Sequence, residues 1–258
     1  MSDFDPFLPE NLLKQEQAEI SAVESGQDAS RGDFGAYHRL LKHHKDDWVR
    51  LHAIIDAAAA AQYAEQAAAA LASLAPPSGR PNLLDAGCGP GAITDALRVR
   101  VGCSAATGVD ISQSAIEYAR RSFPLCRFNV VAIDEHTTFP ERYDIIHSRE
   151  FYPFTRTVDL AVHKAYLNVF AKHLKPGGIL VCTLLDQPGT LSDTICELRA
   201  TMESMGLTPF KAIPLANARL LRLLRSVALS RGATWAVNKL IKAPQRCFYL
   251  SRLTRSPS

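Results

Sequence analysis

From Asn82 onward the chain alternates short apolar runs with stretches whose apolar residues recur at helical spacing. Parallel strands need long crossover connections, so this alternation predicts a parallel sheet with helices on both faces. The expected strands are NLLDAG, AATGVD, RFNVVAI, YDIIHS and GGILVCTL, and the expected crossover helices are GAITDALRVRV, SQSAIEYARRSF and VDLAVHKAYLNVFAKHL. The last of these ends in LKPGG, a glycine-rich stop before a buried strand. A helix over Leu191 to Met205, a strand PFKAIPL, a basic helical stretch over Ala216 to Lys242 and a final apolar run RCFYLSRL complete the chain.

At the first strand-to-helix turn stands LLDAGCGPGAIT, Leu83 to Thr94. In a doubly wound sheet, ligands sit outside the carboxyl ends of the strands, beside such a turn. GCGPGA fits the loose dinucleotide fingerprint through Gly87, Gly89 and Ala92, a weak match alone. Asp85 discriminates, because a carboxylate two residues ahead of the first glycine opposes a pyrophosphate. S-adenosylmethionine has no phosphate and carries an ammonium and a sulfonium, which a carboxylate favours. TGVDIS ends in Asp110, whose oxygens can accept from both ribose hydroxyls, with Ile111 as an apolar edge for adenine; that acid would serve NAD as well. VVAIDEH supplies Asp134 for the adenine amine, with Ile133 beside it, although a strand-terminal Asp can also be only a cap.

The set DAGCGPG, GVDIS, AID before YDIIHS, and LKPGG before the fifth strand resembles the class I S-adenosylmethionine-dependent methyltransferases over about Asn82 to Leu185. The resemblance implies a Rossmann-like α/β fold with a seven-stranded, mostly parallel sheet, in which PFKAIPL and RCFYLSRL form an antiparallel pair at one edge. It implies that Asp85 and the loop of Gly87, Cys88, Gly89 and Gly91 hold the methionine end and ribose. Asp110 would hold the ribose and Asp134 the adenine. The product would be S-adenosylhomocysteine.

The segment HSREFYPFTRT, His147 to Thr157, should border the acceptor. It resembles the SRD or SRE segment of small-molecule N-methyltransferases such as phosphoethanolamine methyltransferases, in which the serine, here Ser148, lies by the methionine moiety. Those enzymes carry a catalytic histidine four residues beyond the acid, where this chain has Phe154. The departure points to an apolar acceptor pocket lined by Phe151, Tyr152 and Phe154. His147 and Glu150 are the general-base candidates, against the plainer readings of a core histidine and an ion-paired glutamate.

Residues 1–80 are expected to form a helical cap or lid, ahead of a donor-binding domain over 81–258 that carries a basic insertion at 216–242. Tyr37 and His38 are candidate acceptor contacts in that cap. From Ser204 to the end there are ten Lys or Arg and no Asp or Glu; subtracting that +10 from a net +3 leaves −7 for residues 1 to 203. The asymmetry suggests an anionic membrane surface, an acidic carrier protein or an anionic substrate, with a packed lid or a homodimer contact as the plain alternative.

Six cysteines without a CxxC pair or a zinc-spaced cluster imply no metal and reduced thiols in a cytoplasmic setting. The acidic N-terminus does not resemble a secretory signal. Base-amine methylases carry NPPY-like segments after the fourth strand, and their absence argues against nucleic acid. The expected activity is methyl transfer to a nitrogen or oxygen of a small biosynthetic acceptor. A lipid, quinone or carrier-bound acceptor docked by the basic insertion is the alternative, and a non-enzymatic donor-binding module is the remaining one.

Overall fold

A computed structural model describes residues 57–74, 79–110, 113–155, 158–186, 189 and 191–254. Tyr37, His38 and Ile111 lie outside the described residues, as does most of the expected helical cap. The helix α1, Ala57–Ala72, opens the described chain, with Ala60, Tyr63, Ala64, Ala67, Ala70 and Leu71 buried along one stripe.

The sheet follows as β1 (Asn82–Ala86), β2 (Ala105–Asp110), β3 (Arg127–Val130), β4 (Tyr143–Arg149), β5 (Leu174–Asp186), β6 (Leu207–Pro214) and β7 (Gln245–Leu253). Its seven strands lie in the order β3-β2-β1-β4-β5-β7-β6. β1, β2, β3, β4 and β5 pair in parallel, while β7 is antiparallel to both β5 and β6. This is the expected Rossmann-like sheet with an antiparallel pair at one edge, β7 lying inside and β6 outside.

The connecting helices are α2 (Ala92–Val101), α3 (Gln113–Ser122), the single turn α4 (Tyr152–Thr155), α5 (Leu160–His173) and α6 (Leu191–Ser204). The expected third strand is shorter than RFNVVAI: after Val130 the chain makes one further bond, Val131 N–H to the Asp110 carbonyl at 2.9 Å, and turns away. The basic stretch over 216–242 is two helices and not one, α7 (Ala218–Leu224) and α8 (Val227–Ile241). Arg225 ends α7 in the left-handed region at φ 49°, and the Ser226 side chain caps α8 by accepting from the Leu229 N–H at 3.4 Å.

Strand side chains alternate between faces, which divides the core in two. Leu83, Ile145, Ile179 and Val181 pack with α1 and α2, whereas Leu84, Ile146, Leu180 and Cys182 pack with α5 and α6. Parity therefore sends Asp85, His147 and Thr183 to the α1 face, and Ser148 to the opposite one.

Candidate active site

The turn after β1 is shaped by three glycines in the left-handed region, Gly87 (φ 73°), Gly89 (φ 51°) and Gly91 (φ 83°). The N–H groups of Gly87 and Cys88 donate to the Val109 carbonyl at 2.9 and 3.0 Å, and Gly89 N–H donates to Asp110 Oδ2 at 2.9 Å. Asp110 thus ties the turn to the end of β2. Below the turn the packing admits no side chain: a Cβ on Gly91 would stand 2.7 Å from Phe128 Cζ, and one on Gly108 would stand 2.6 Å from Phe128 Cδ1. Cys88, expected at the ligand, is buried beneath the turn toward Gly108, and burial pushes its thiol well above the ordinary range. Both its backbone and its thiol brace the turn, the N–H donating to Val109 and the sulfur to the Gly89 carbonyl at 3.5 Å.

Asp85 is 2 % exposed, at the carboxyl end of β1. Its Oδ2 accepts from Thr94 Oγ1 at 2.5 Å, and its Oδ1 lies 2.7 Å from His147 Nδ1, the residue in register with it on β4. His147 Nε2 shares a hydrogen bond of 2.6 Å with the Tyr63 hydroxyl of α1, which donates to Thr183 Oγ1 at 2.7 Å. Burial pushes the Tyr63 phenol above its ordinary range. The Arg149 guanidinium lies over the Tyr63 ring, 5.3 Å from its centroid, and burial lowers its pKa.

This arrangement corrects the reading of His147 as a general base. Both ring nitrogens are committed inside the α1 face, and the residue is 2 % exposed. Phe154 is corrected as a pocket wall: the α4 turn folds it fully inside the core, against Phe151, His163, Tyr166 and Phe170. Tyr152 lies in α4, but its side chain is outside the described residues.

Other expected residues gather at the carboxyl ends of the strands. Glu150 sits directly after β4 at φ 50°, a conformation disfavoured for a non-glycine residue. It is held there by its N–H donating to the Thr183 carbonyl at 2.7 Å and by its Oε1 accepting from Arg246 Nε at 2.7 Å. Phe151 reaches the glycine turn, since a Cβ on Gly87 would meet its Cδ2 at 3.2 Å. Ser148 is buried beside Cys182, its register partner on β5.

Asp134 is exposed and closes a local turn, its Oδ1 accepting from His136 N–H at 3.0 Å and from Thr137 Oγ1 at 2.8 Å. These bonds, with Thr137 the larger cause, hold its carboxyl below the usual range. Ile133 is half-buried against the α5 side of the core. Tyr63, Thr94, Arg149, Thr183 and Arg246 were not singled out by the sequence. The parity of β4 and β5 and the lone aromatic in AAAAAQYAEQAAAA were the available signals.

The turn fits S-adenosylmethionine on its own geometry. Gly87 and Gly89 offer side-chain-free backbone in conformations suited to close approach, and carboxylates stand at the ends of β1 and β2 and just beyond β3. Comparison with known proteins agrees. The family model described as "Methyltransferase domain" matches residues 59–232. The chain belongs to that methyltransferase-domain family.

Among curated relatives, trans-aconitate 2-methyltransferase of Delftia acidovorans is 29% identical over 107 residues, 41% of this chain and 38% of the relative. Malonyl-[acyl-carrier protein] O-methyltransferase of Priestia megaterium is 30% identical over 100 residues, 38% of this chain and 35% of the relative. The chain thus spans little more than a third of the length of these relatives. The plantazolicin methyltransferase BpumL, solved with S-adenosylhomocysteine and a monoazolic desmethylPZN analogue, superposes with a TM-score of 0.58 at 16% identity, covering 93% of this chain and 100% of its own. A TehB-like methyltransferase of Corynebacterium glutamicum superposes with a TM-score of 0.55 at 18% identity, covering 84% of this chain and 100% of its own. At these identities the likeness shows the shared fold.

Proposed function

We propose that the protein transfers a methyl group from S-adenosylmethionine to a nitrogen or oxygen of a small-molecule acceptor held beyond the ends of β1 and β4. The observation that carries this reading is the approach of Phe151 to Gly87, which brings the segment after β4 against the donor turn. In this reading Asp110 positions the ribose, the backbone of Gly87 to Gly91 lies along the methionine end, and Asp134 and Ile133 meet the adenine. When bound, the donor supplies a methyl already activated on a sulfonium. The chain's share is therefore to align and desolvate the acceptor, and to take a proton where the nucleophile carries one.

Glu150 is the side chain assigned to that proton. It stands at the strand-end rim, in a backbone conformation that the surrounding bonds enforce, with Arg246 as its partner. His147 instead holds Asp85 in place beneath the donor. Phe151 supplies apolar surface for the acceptor.

A carrier-bound acceptor is the second reading. It is supported by one relative named a malonyl-[acyl-carrier protein] O-methyltransferase and by the acid-free basic stretch over 216–242. Incubation with isotopically methyl-labelled donor, a small-metabolite pool and an acyl-carrier pool separates the two. Label in a low-mass product supports the first reading, label only on the carrier supports the second, and no transfer from either pool overturns both.

A further inference from the structure

The helix α8 is built with its polarity reversed. The side that packs on the protein carries Ser230, Arg231, Thr234 and Asn238: Ser230 Oγ donates to the Leu220 carbonyl at 3.2 Å, Thr234 Oγ1 accepts from Asn217 N–H at 2.7 Å, and Arg231 donates to the Gln66 carbonyl of α1 at 2.7 Å. The rest of its circumference and its C-terminal end expose apolar residues. Leu229 is 63%, Trp235 50%, Val237 48%, Leu240 83% and Ile241 64% exposed, and Leu223 at the end of α7 is 76% exposed. At 100° per residue Leu229, Ala233, Ala236 and Leu240 fall on one stripe, away from Ser230 and Thr234. Among the described residues nothing covers that stripe.

Cations surround it. Arg219, Arg222, Arg225, Lys239 and Lys242 are all exposed, and no acid occurs between residues 216 and 242. Lys239 lies over the Trp235 ring, 4.9 Å from its centroid. A partner must therefore be negatively charged and must also accept protruding aliphatic side chains.

We infer that α7 and α8 form a docking face for an anionic lipid bilayer. Leucine, isoleucine and tryptophan would enter the headgroup and acyl boundary while the flanking cations meet lipid phosphates. An acidic carrier protein would use the cations but leave Leu240 and Ile241 in water. A second copy related by two-fold symmetry would set the cluster of cations against itself. β6 runs parallel to β5, because both are antiparallel to β7, so the α7–α8 insertion leaves the sheet at the same end as the donor turn. The inference concerns where the enzyme works and stands apart from the methyl-transfer reading.

The test uses the full chain carrying Trp48→Phe, which leaves Trp235 as the single tryptophan of an original two. Vesicles of phosphatidylcholine mixed with phosphatidylglycerol, at low salt, should co-sediment with the protein and shift Trp235 emission to the blue. Pure phosphatidylcholine or high salt should abolish both effects. Arg222→Gln and Lys239→Gln should each weaken vesicle binding about fivefold, and Leu229→Ser with Leu240→Ser should remove the emission shift. Donor titration should be unchanged in every variant, which separates loss of docking from loss of the donor site.

The inference is overturned if anionic vesicles are ignored at low salt, or if binding is indifferent to these four substitutions. It is also overturned if the leucine pair instead dissociates a dimer, or if the face binds an acidic carrier protein and not the vesicles.

Discussion

His147 Nδ1 lies 2.7 Å from Asp85 Oδ1, between two side chains that are each 2% exposed. Breaking a buried pair from one side strands its partner, at a cost of about 3–5 kcal/mol. His147→Ala should therefore lower stability by about 3 kcal/mol in urea titrations, and it should weaken donor binding by disturbing the base of the turn. A variant with wild-type stability and slow turnover alone would instead return His147 to the role of a base.

Tyr63 extends this pair to α1. Tyr63→Phe keeps the ring but leaves His147 Nε2 and Thr183 Oγ1 without their shared hydroxyl, so a loss of about 1–3 kcal/mol is expected in the same titration. A change under about 0.5 kcal/mol would mean that the hydroxyl is not part of the scaffold.

The pH dependence follows from burial. Desolvation raises Cys182 and Cys247 to about 12, and Cys103 and Cys126 to about 11, from an ordinary 9. A group whose folded pKa is raised contributes stability that is complete below its unfolded value and is lost as pH rises toward the folded value. Stability should therefore fall between about pH 9 and pH 12 as the unfolded chain releases protons that the folded chain retains. Denaturation midpoints across that range check the sign, and a rise would contradict it. Cys196 is the exposed thiol, so a thiol reagent at neutral pH should label it first.

Two glycines with similar backbones should respond differently. Gly91 and Gly102 have φ of 83° and 74°, but a Cβ meets Phe128 and Ala119 at the first and open space at the second. Gly102→Ala should cost about 1 kcal/mol from backbone strain alone. Gly91→Ala should cost about 2–4 kcal/mol because the packing must also shift, and it should lose donor affinity as the turn moves.

Much of the fold was legible because periodicity reports it. Apolar runs marked all seven strands, and the glycine turn with Asp85 and Asp110 marked the carboxyl end of the sheet. Several boundaries were missed for local reasons: LKPGG, expected as a stop ahead of the fifth strand, is the first part of β5. Val130 ends β3 because the following residues turn outward, and Arg225 breaks the basic stretch by adopting a left-handed conformation that its residue type does not advertise. The site was less legible than the fold because its partners are far apart in sequence. Tyr63 meets His147 across 84 residues, and Arg246 meets Glu150 across 96. Phe154 was misplaced since an aromatic after a strand reads alike whether it lines a cleft or turns under it.

The donor site itself is tested by isothermal titration of the purified protein with S-adenosylmethionine and, separately, with NAD, repeated on Asp110→Ala. Saturable binding of the methyl donor is expected, weakened by about 1–3 kcal/mol when the Asp110 carboxylate is no longer there to tie down Gly89 and meet the ribose, with no comparable heat from NAD. Tight binding of NAD with indifference to S-adenosylmethionine would contradict it.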